Sequence, residues 1–214
     1  MVAVALHGPC SRSIEAPAAR TGPSIMQDRL PPIAPEHWTA EQRAGAEEII
    51  RGPRGALVSP FIPLLRSPEL MGHAQRMGEY LRYRSAIGQR LSELAILLTA
   101  RAWSQPVEWA LHVPLALREG LSAGTIEAIA HGRKPAMLRD DEAAVHDFCI
   151  ELHRDKTVGD ATWANALQRL GEQGVVDLIG INGYYAMLSM VMNAAHTPVP
   201  PSSAAPLPDL GATD

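Results

Sequence analysis

Residues 88–120 read GQRLSELAILLTARAWSQPVEWALHVPLALREG, and this stretch decides the fold class. In its first half, apolar residues recur at the spacing of one helix face: Leu91, Leu94, Ala95 and Leu98. They predict a helix from about Gly88 to Ala102. Ser104 and Pro106 then open a second helix that ends at Gly120, because serine favours the cap position and proline fits the first helical turn.

The proline distribution extends the helical pattern over most of the chain. Ten of the 18 prolines lie at or before Pro68 and five at or after Pro198, which leaves three for residues 69–197. Since proline is costly inside a helix, this window can be helical almost throughout. Aromatic residues make up only 5% of the chain and β-branched alternation is absent. The sequence predicts an all-α, single-domain bundle of seven to eight helices, at about 39–51, 68–83, 88–102, 104–120, 122–132, 140–154, 160–170 and 175–195.

Composition divides the chain into three parts. Residues 1–34 are expected to form a flexible or arm-like extension, residues 35–197 the helical domain, and residues 198–214 a proline-rich tail. Residues 1–25 carry a short apolar run with no basic segment before it, which is not the pattern of a secretory signal. We interpret Met26 as a natural start and the residues before it as a dispensable or misassigned extension.

Charge and cysteine content exclude several classes of function. The formal net charge is −4 and no run of five Lys or Arg residues occurs, so neither nucleic acid nor an anionic membrane is an expected partner. No uninterrupted apolar run reaches the length of a membrane span. Cys10 and Cys149 are the two cysteines, too few for a disulfide framework or a cysteine-rich zinc site. A reducing, cytoplasmic compartment is predicted.

The candidate chemistry lies on the predicted fourth helix. Glu108 and His112 are four residues apart, so both side chains project from one face and the carboxylate can hydrogen-bond the imidazole. Such a bond defines the tautomer and raises the proton affinity of the histidine, as a general acid or base near neutral pH requires. The alternative is an ordinary Glu–His pair without a catalytic role. An antiparallel pairing of this helix with the preceding one would also bring Glu93 beside His112.

Three stretches together resemble the carboxymuconolactone decarboxylase family, to which the alkylhydroperoxidase-D-like (AhpD-like) proteins also belong. They are RGPRGALVSPFIPLLRSPEL at 51–70, RLSELAILLTARAWSQPVEWALHVPLALREGLS at 90–122 and VGDATWANALQRLGEQGVVDLIGINGYYAML at 158–188. The resemblance extends over about residues 35–200. It implies an AhpD-like helical subunit that assembles as a homo-oligomer, a trimer or a hexamer.

The sequence departs from the peroxidase branch of this family. That branch has a Cys-x-x-Cys pair upstream of the histidine, whereas Gln105 and Glu108 stand at the two cysteine positions here. Thiol peroxidase chemistry needs a nucleophilic thiolate and a resolving thiol, and neither is available at this site. Cys149 lies on another predicted helix, where it is expected to be a small buried core residue. Thiol peroxidase activity is therefore disfavoured.

The decarboxylase branch implies a cofactor-free lyase that acts by acid–base chemistry on a small carboxylated lactone or a related intermediate of aromatic-compound catabolism. The resemblance assigns His112 as proton donor or oxyanion stabiliser, Glu108 as the group that orients it, and Glu93 as a second member of the proton relay. The alternative for Glu93 is a solvated acid or an ion pair with Arg90 or Arg101.

Substrate contacts are predicted from three further residues. Arg54, in the loop GPRGALVSPF, is the first choice for a cation, because the flanking glycines permit a bent backbone that aims the guanidinium inward. Tyr184 is expected to contribute a hydroxyl to the pocket, and Gln105 is also assigned to substrate binding. The alternative for Arg54 is a solvated arginine in a loop. The alternative for Tyr184 and Tyr185 is that both are ordinary aromatic residues of the core.

Two other functions stay open from the sequence. Glu93, Glu108 and His112 are a chemically reasonable set of ligands for a divalent metal, although no fourth ligand is evident. A non-catalytic oligomer that binds a small molecule would use the same scaffold, because a fold does not determine an activity. The preferred interpretation needs neither a metal nor a cofactor.

Overall fold

The computed structural model describes residues 27–201 and 206–210. Within these ranges it contains eight α-helices and no strand, which confirms the predicted all-α class. The helices in chain order are α1 Ala40–Arg51, α2 Phe61–Leu64, α3 Pro68–Tyr83, α4 Gly88–Ala102, α5 Pro106–Arg118, α6 Ala123–Ala130, α7 Asp140–Asp155 and α8 Asp160–Ala195. A short 3-10 turn, Pro35–His37, precedes α1.

Helix α4 forms the centre of the bundle. Every residue from Leu91 to Arg101 is buried, and the helix packs against α5, α7 and α8. The sequence pattern predicts one apolar face, but neighbours surround α4 on all sides. Burial of this kind gives the polar side chains of α4 a low-dielectric environment, in which charge–charge interactions are strong.

The ends of several helices follow from local side-chain chemistry. Thr39 and Gln42 form the predicted capping box at the start of α1. Ser122 caps α6 by accepting a hydrogen bond from the backbone N–H of Thr125 at 3.0 Å. Two caps differ from the prediction. The side chain of Ser67 makes no capping hydrogen bond at the start of α3. Helix α5 is capped by Gln105, one residue beyond the predicted Ser104.

Two elements differ from the sequence prediction. Helix α2 was not predicted, because it is a single turn within a proline-rich segment whose composition favours a loop. The predicted helices at 160–170 and 175–195 form one run, α8, interrupted at Gly171. Gly171 has φ +69°, in the left-handed region that favours glycine, and the chain changes direction there.

Helix α8 is long and apolar enough to cross a membrane by length and composition, the one such helix among the described residues. In its most apolar 18-residue window, however, 56% of the residues are buried within this fold. The buried Asp177 accepts hydrogen bonds from the Tyr80 hydroxyl at 3.0 Å and from the backbone N–H of Ala86 at 2.7 Å. These contacts are typical of the core helix of a folded domain.

The described parts of the two flanks contact the domain. The backbone N–H of Arg29 donates to the carbonyl of Ala195 at 2.8 Å, at the end of α8. In the C-terminal segment the carbonyl of Pro208 accepts from Arg101 at 2.6 Å, and Leu207 packs on the core. Residues 1–25, with the predicted start at Met26, lie outside the described residues. The domain boundaries at 35 and 197 stay predictions.

Candidate active site

A tight turn between α4 and α5 builds the site. Trp103, Ser104 and Gln105 are the connecting residues, and the Gln105 side chain accepts a hydrogen bond from the backbone N–H of Val107 at 2.6 Å. This cap starts α5 immediately after the turn, so the chain reverses along α4. Glu93 lies ten residues before Trp103 and His112 seven residues after Gln105, and the antiparallel packing of α4 and α5 brings the two side chains together.

His112 lies between two carboxylates. Its Nδ1 is 2.6 Å from Oε2 of Glu93, and its Nε2 is 3.3 Å from Oε2 of Glu108. All three side chains are buried, with at most 4% of any of these residues exposed. The i,i+4 pairing predicted on α5 and the pairing across the α4–α5 turn are therefore present together, one on each edge of the imidazole ring.

The two carboxylates determine the protonation state of His112. Burial is the largest single effect and lowers its pKa, but the charges and hydrogen bonds of Glu93 and Glu108 together outweigh burial and raise the pKa to about 9. At neutral pH the ring is an imidazolium, with Nδ1–H donating to Glu93 and Nε2–H facing Glu108. The site therefore holds a proton on the imidazole at neutral pH.

Arg82 joins the cluster from the last turn of α3. Its Nε is 3.9 Å from Oε1 of Glu93, so that carboxylate lies between a guanidinium and an imidazolium. Arg90 instead pairs with acids of α7, and Arg101 donates to neutral oxygens. The sequence gives no signal for Arg82, because an arginine near a helix C-terminus is an ordinary partner of the helix dipole.

A cavity of about 250 Å³ opens beside His112. Glu108, Arg54, Arg82 and Tyr184 line it together with the imidazole. The rest of its wall is largely apolar and includes Val58, Leu111, Leu115 and Leu188. A small apolar cavity with a few convergent polar groups is the usual form of a small-molecule site.

Two buried polar atoms at this cavity lack hydrogen-bond partners. The hydroxyl of Tyr184 and Oε1 of Glu108 find none among residues 27–201 and 206–210. Buried polar groups in proteins are nearly always hydrogen-bonded, so unpaired ones at a cavity indicate that a ligand supplies the missing contacts.

Arg54 is held in place at this cavity by two contacts. Its Nε donates to Gln75 at 2.6 Å, and its guanidinium lies 4.7 Å from the Phe61 ring centroid.

Gly78 on α3 makes room for these groups. A Cβ at this position would lie 2.2 Å from the Tyr184 hydroxyl oxygen and 2.8 Å from Nη2 of Arg54. Both distances are far below a van der Waals contact, so any side chain at position 78 would displace the tyrosine, the arginine or both. The sequence gives no signal for this role, because Gly78 lies within an otherwise ordinary helical pattern.

The two adjacent tyrosines of α8 have different positions. The Tyr185 ring packs edge-on against the imidazole of His112, with centroids 5.2 Å apart. For Tyr184, burial and the charge of Glu108 outweigh the opposing effect of Arg54 and raise the pKa to about 12, with burial the largest cause. The Tyr184 hydroxyl is therefore neutral at physiological pH and available as a hydrogen-bond donor.

Gln105 and Cys149 lie outside this cavity. Besides capping α5, Gln105 donates from Nε2 to Oδ1 of Asn193 at 2.8 Å, so its contacts hold the α4–α5 turn against α8. Burial raises the pKa of the Cys149 thiol to about 12, with a small opposing effect from its hydrogen bond to Asn182. A buried thiol of this kind does not form the thiolate that peroxidase chemistry requires.

The arrangement around His112 does not suit a metal ion. Glu93 and Glu108 contact opposite ring nitrogens, so one ion cannot bind a ring nitrogen and both carboxylates at once. Within the part of the chain that the structure describes, no group of three His, Cys, Asp or Glu side chains is arranged to hold a metal. The geometry therefore argues against Glu93, Glu108 and His112 as a ligand set.

No model of a known protein family matches the sequence, and no curated protein matches it either. Among solved structures, a protein of unknown function from Agrobacterium tumefaciens, named a candidate antioxidant defence protein AhpD, is similar with a TM-score of 0.57. The alignment has 14% identity and covers 63% of this chain and 93% of that chain. The chain has an AhpD-like fold. This likeness does not show whether the chain belongs to the decarboxylase branch.

Proposed function

We propose that this chain is a cofactor-free lyase that removes carbon dioxide from a small carboxylated lactone or a related β-keto acid. One observation carries the proposal: a protonated His112 is held between Glu93 and Glu108 at the wall of a cavity that also receives Arg54 and Arg82. A homo-oligomer in the reducing cytoplasm, acting in the catabolism of aromatic compounds, is part of the same proposal.

The charges of the site favour an anionic substrate of limited size. Arg54, Arg82 and His112 carry three positive charges against the two negative charges of Glu93 and Glu108. One substrate carboxylate would neutralise the remaining charge. The cavity of about 250 Å³ is small compared with most ligand pockets, which favours a small substrate.

The proposed reaction needs three groups: one that holds the carboxylate, one that stabilises the enolate and one that donates a proton. Arg54 holds the carboxylate of the substrate, the bond between that carboxylate and the adjacent carbon breaks, and carbon dioxide leaves. The electron pair moves into the conjugated carbonyl, and the neutral hydroxyl of Tyr184 donates a hydrogen bond to the resulting enolate oxygen. His112 then transfers its proton to carbon, and its neutral ring regains a proton from solvent through Glu93. Atoms and charge balance, because one proton is consumed for each carbon dioxide released.

Glu108 is assigned a positioning role. Its Oε2 faces Nε2 of His112 at 3.3 Å, while Oε1 is the buried atom without a partner among the described residues. A carboxylate in this position stabilises the imidazolium and can accept a hydrogen bond from the substrate. Its removal should lower the proton affinity of His112 as well as the activity.

The test is a panel of small lactones and β-keto acids, assayed for carbon dioxide release and for deuterium uptake at carbon in D₂O. The His112→Asn variant should lose both readouts on any substrate found. Arg118→Gln is the matched control, because Arg118 is exposed on α5 away from the cavity. A folded His112→Asn protein with normal turnover would overturn the proposal. Binding without turnover across the panel would favour the non-catalytic alternative.

A further inference from the structure

A second cavity lies away from His112 and shares no lining residue with the first one. Its volume is about 470 Å³, and it opens between α4, α6 and α7. Four cationic side chains line it, against two carboxylates: Arg101, Arg133, Lys134 and Arg154, with Asp147 and Glu151. The lining is thus distinctly more basic than the chain as a whole, whose formal net charge is −4.

The two carboxylates of this cavity are already engaged. Asp147 accepts a hydrogen bond from Nζ of Lys134 at 2.7 Å. Glu151 accepts from the Thr162 hydroxyl at 2.6 Å and from the backbone N–H of Gly159 at 2.9 Å, which ties α7 to the start of α8. Arg154 in turn pairs with Asp155, its Nη2 lying 2.5 Å from Oδ2 of that carboxylate. Of the cationic side chains at this cavity, Arg101 and Arg133 are therefore the two without a close counter-ion among the described residues.

Arg101 shows the excess of positive charge at this cavity most clearly. Only 8% of it is exposed, yet its guanidinium donates to neutral oxygens alone: the carbonyls of Ala130 and Pro208 and the hydroxyl of Ser104. Its Nε is buried without a partner, and none of the described carboxylates lies within 4 Å of it. Asp209 acts on it only from a greater distance. Because burying a cation with no counter-ion in contact is costly, this position favours a bound anion.

The other walls define what kind of anion fits. Arg133 is exposed at the same cavity and forms no ion pair with another described residue. Leu98, Ile129 and Ile150 supply apolar surface. We propose that this cavity binds a small organic anion, with a carboxylate held between Arg101 and Arg133 and an apolar body against the three aliphatic side chains. This site is separate from the proposed lyase site and does not depend on it.

The probe for this proposal is benzene-1,2-dicarboxylate, titrated calorimetrically into the full chain, with the neutral dimethyl ester as its uncharged counterpart. Arg133→Gln should weaken binding about tenfold, because it removes one charge-assisted contact from an exposed position that the fold does not need. Arg118→Gln makes the same change in net charge on another surface and should leave the affinity unchanged. The ester should not bind.

The first cavity also contains arginine, so Arg54→Gln is included to locate the probe. Binding that survives Arg54→Gln and weakens in Arg133→Gln supports the second cavity. Binding that is lost in Arg54→Gln and unchanged in Arg133→Gln places the anion beside His112 and overturns the proposal. Equal weakening in Arg133→Gln and Arg118→Gln overturns it too, as an effect of net charge, and so does the absence of binding to the unmodified chain.

Discussion

Replacement of His112 by asparagine should remove a pH-dependent part of the free energy of unfolding. Glu93 and Glu108 outweigh burial and raise the pKa of His112 from 6.5 to about 9. A raised pKa means that the folded state binds the proton more tightly than the unfolded state. The stabilisation is therefore fully present below pH 6.5 and is lost as the pH rises through about 9. At about 1.4 kcal/mol for each pKa unit, the loss is about 3 kcal/mol.

Urea unfolding of the unmodified chain and of His112→Asn, from about pH 6 to about pH 10, measures this quantity. The informative value is the difference in unfolding free energy between the two proteins at each pH, because the other titrating groups contribute to both and cancel. This difference should shrink by about 3 kcal/mol towards the alkaline end. His37→Gln is the control, since His37 is exposed in the turn before α1 and lies outside the cluster of His112, Glu93 and Glu108.

A difference that stays constant over this range would refute the reasoning, since it would show that His112 is not a buried cation between two carboxylates. A difference that widens towards alkaline pH would refute it as well. Glu93→Gln provides an independent check, because loss of the partner at 2.6 Å should move the decline in stability to lower pH.

Four further predictions concern activity, packing, redox chemistry and assembly. Changing His112 and Glu108 together should cost little more kcat/KM than the worse single change, because the two act as one unit; full activity in Glu108→Gln would contradict this. Gly78→Ala should weaken substrate binding and destabilise the fold by about 1–3 kcal/mol, since the new Cβ meets the tyrosine hydroxyl. Gly72→Ala on the same helix, where a Cβ meets nothing closer than 3.5 Å, should be tolerated in the same thermal-unfolding and binding assays. Cys149→Ser should leave the native activity unchanged, and the protein should show no thiol-dependent peroxide reduction in a coupled assay; peroxidase turnover that disappears in this variant would count against the assignment. Light scattering should show a trimer or a hexamer, because α8 exposes an apolar face, and a stable, active monomer would exclude this assembly.

Local patterns accounted for much of the fold and for the core of the candidate site. Proline placement and apolar spacing predicted the all-α class, and the spacing of Glu108 and His112 put both on one face of α5. The contact between Glu93 and His112 could be predicted only by assuming that the two helices pack antiparallel. A short turn between them favours that packing. Each of these features depends on residues close together in the chain.

The residues that the sequence did not reveal depend on contacts between distant helices. Arg82 reaches Glu93 because the end of α3 packs near α4, and Gly78 matters only because α8 brings Tyr184 against α3. The spacing of apolar residues indicates which face of α3 is buried, but it does not indicate which helix packs against that face. The break at Gly171 is similar, since a glycine within a helical pattern indicates a weak point without showing how the chain turns there.

The first cavity is lined partly by packed helices and partly by a loop. The proposed proton-transfer residues Glu93, Glu108 and His112 lie on two packed helices, α4 and α5. The part of the cavity wall that is not helical comes from one short segment, residues 54–60. Loops tolerate substitution better than packed helices do. Replacements within 55–60 can therefore change the shape of the cavity while Arg54, the imidazolium and its two carboxylates stay in place. The proposed reaction step can then be applied to different substrates.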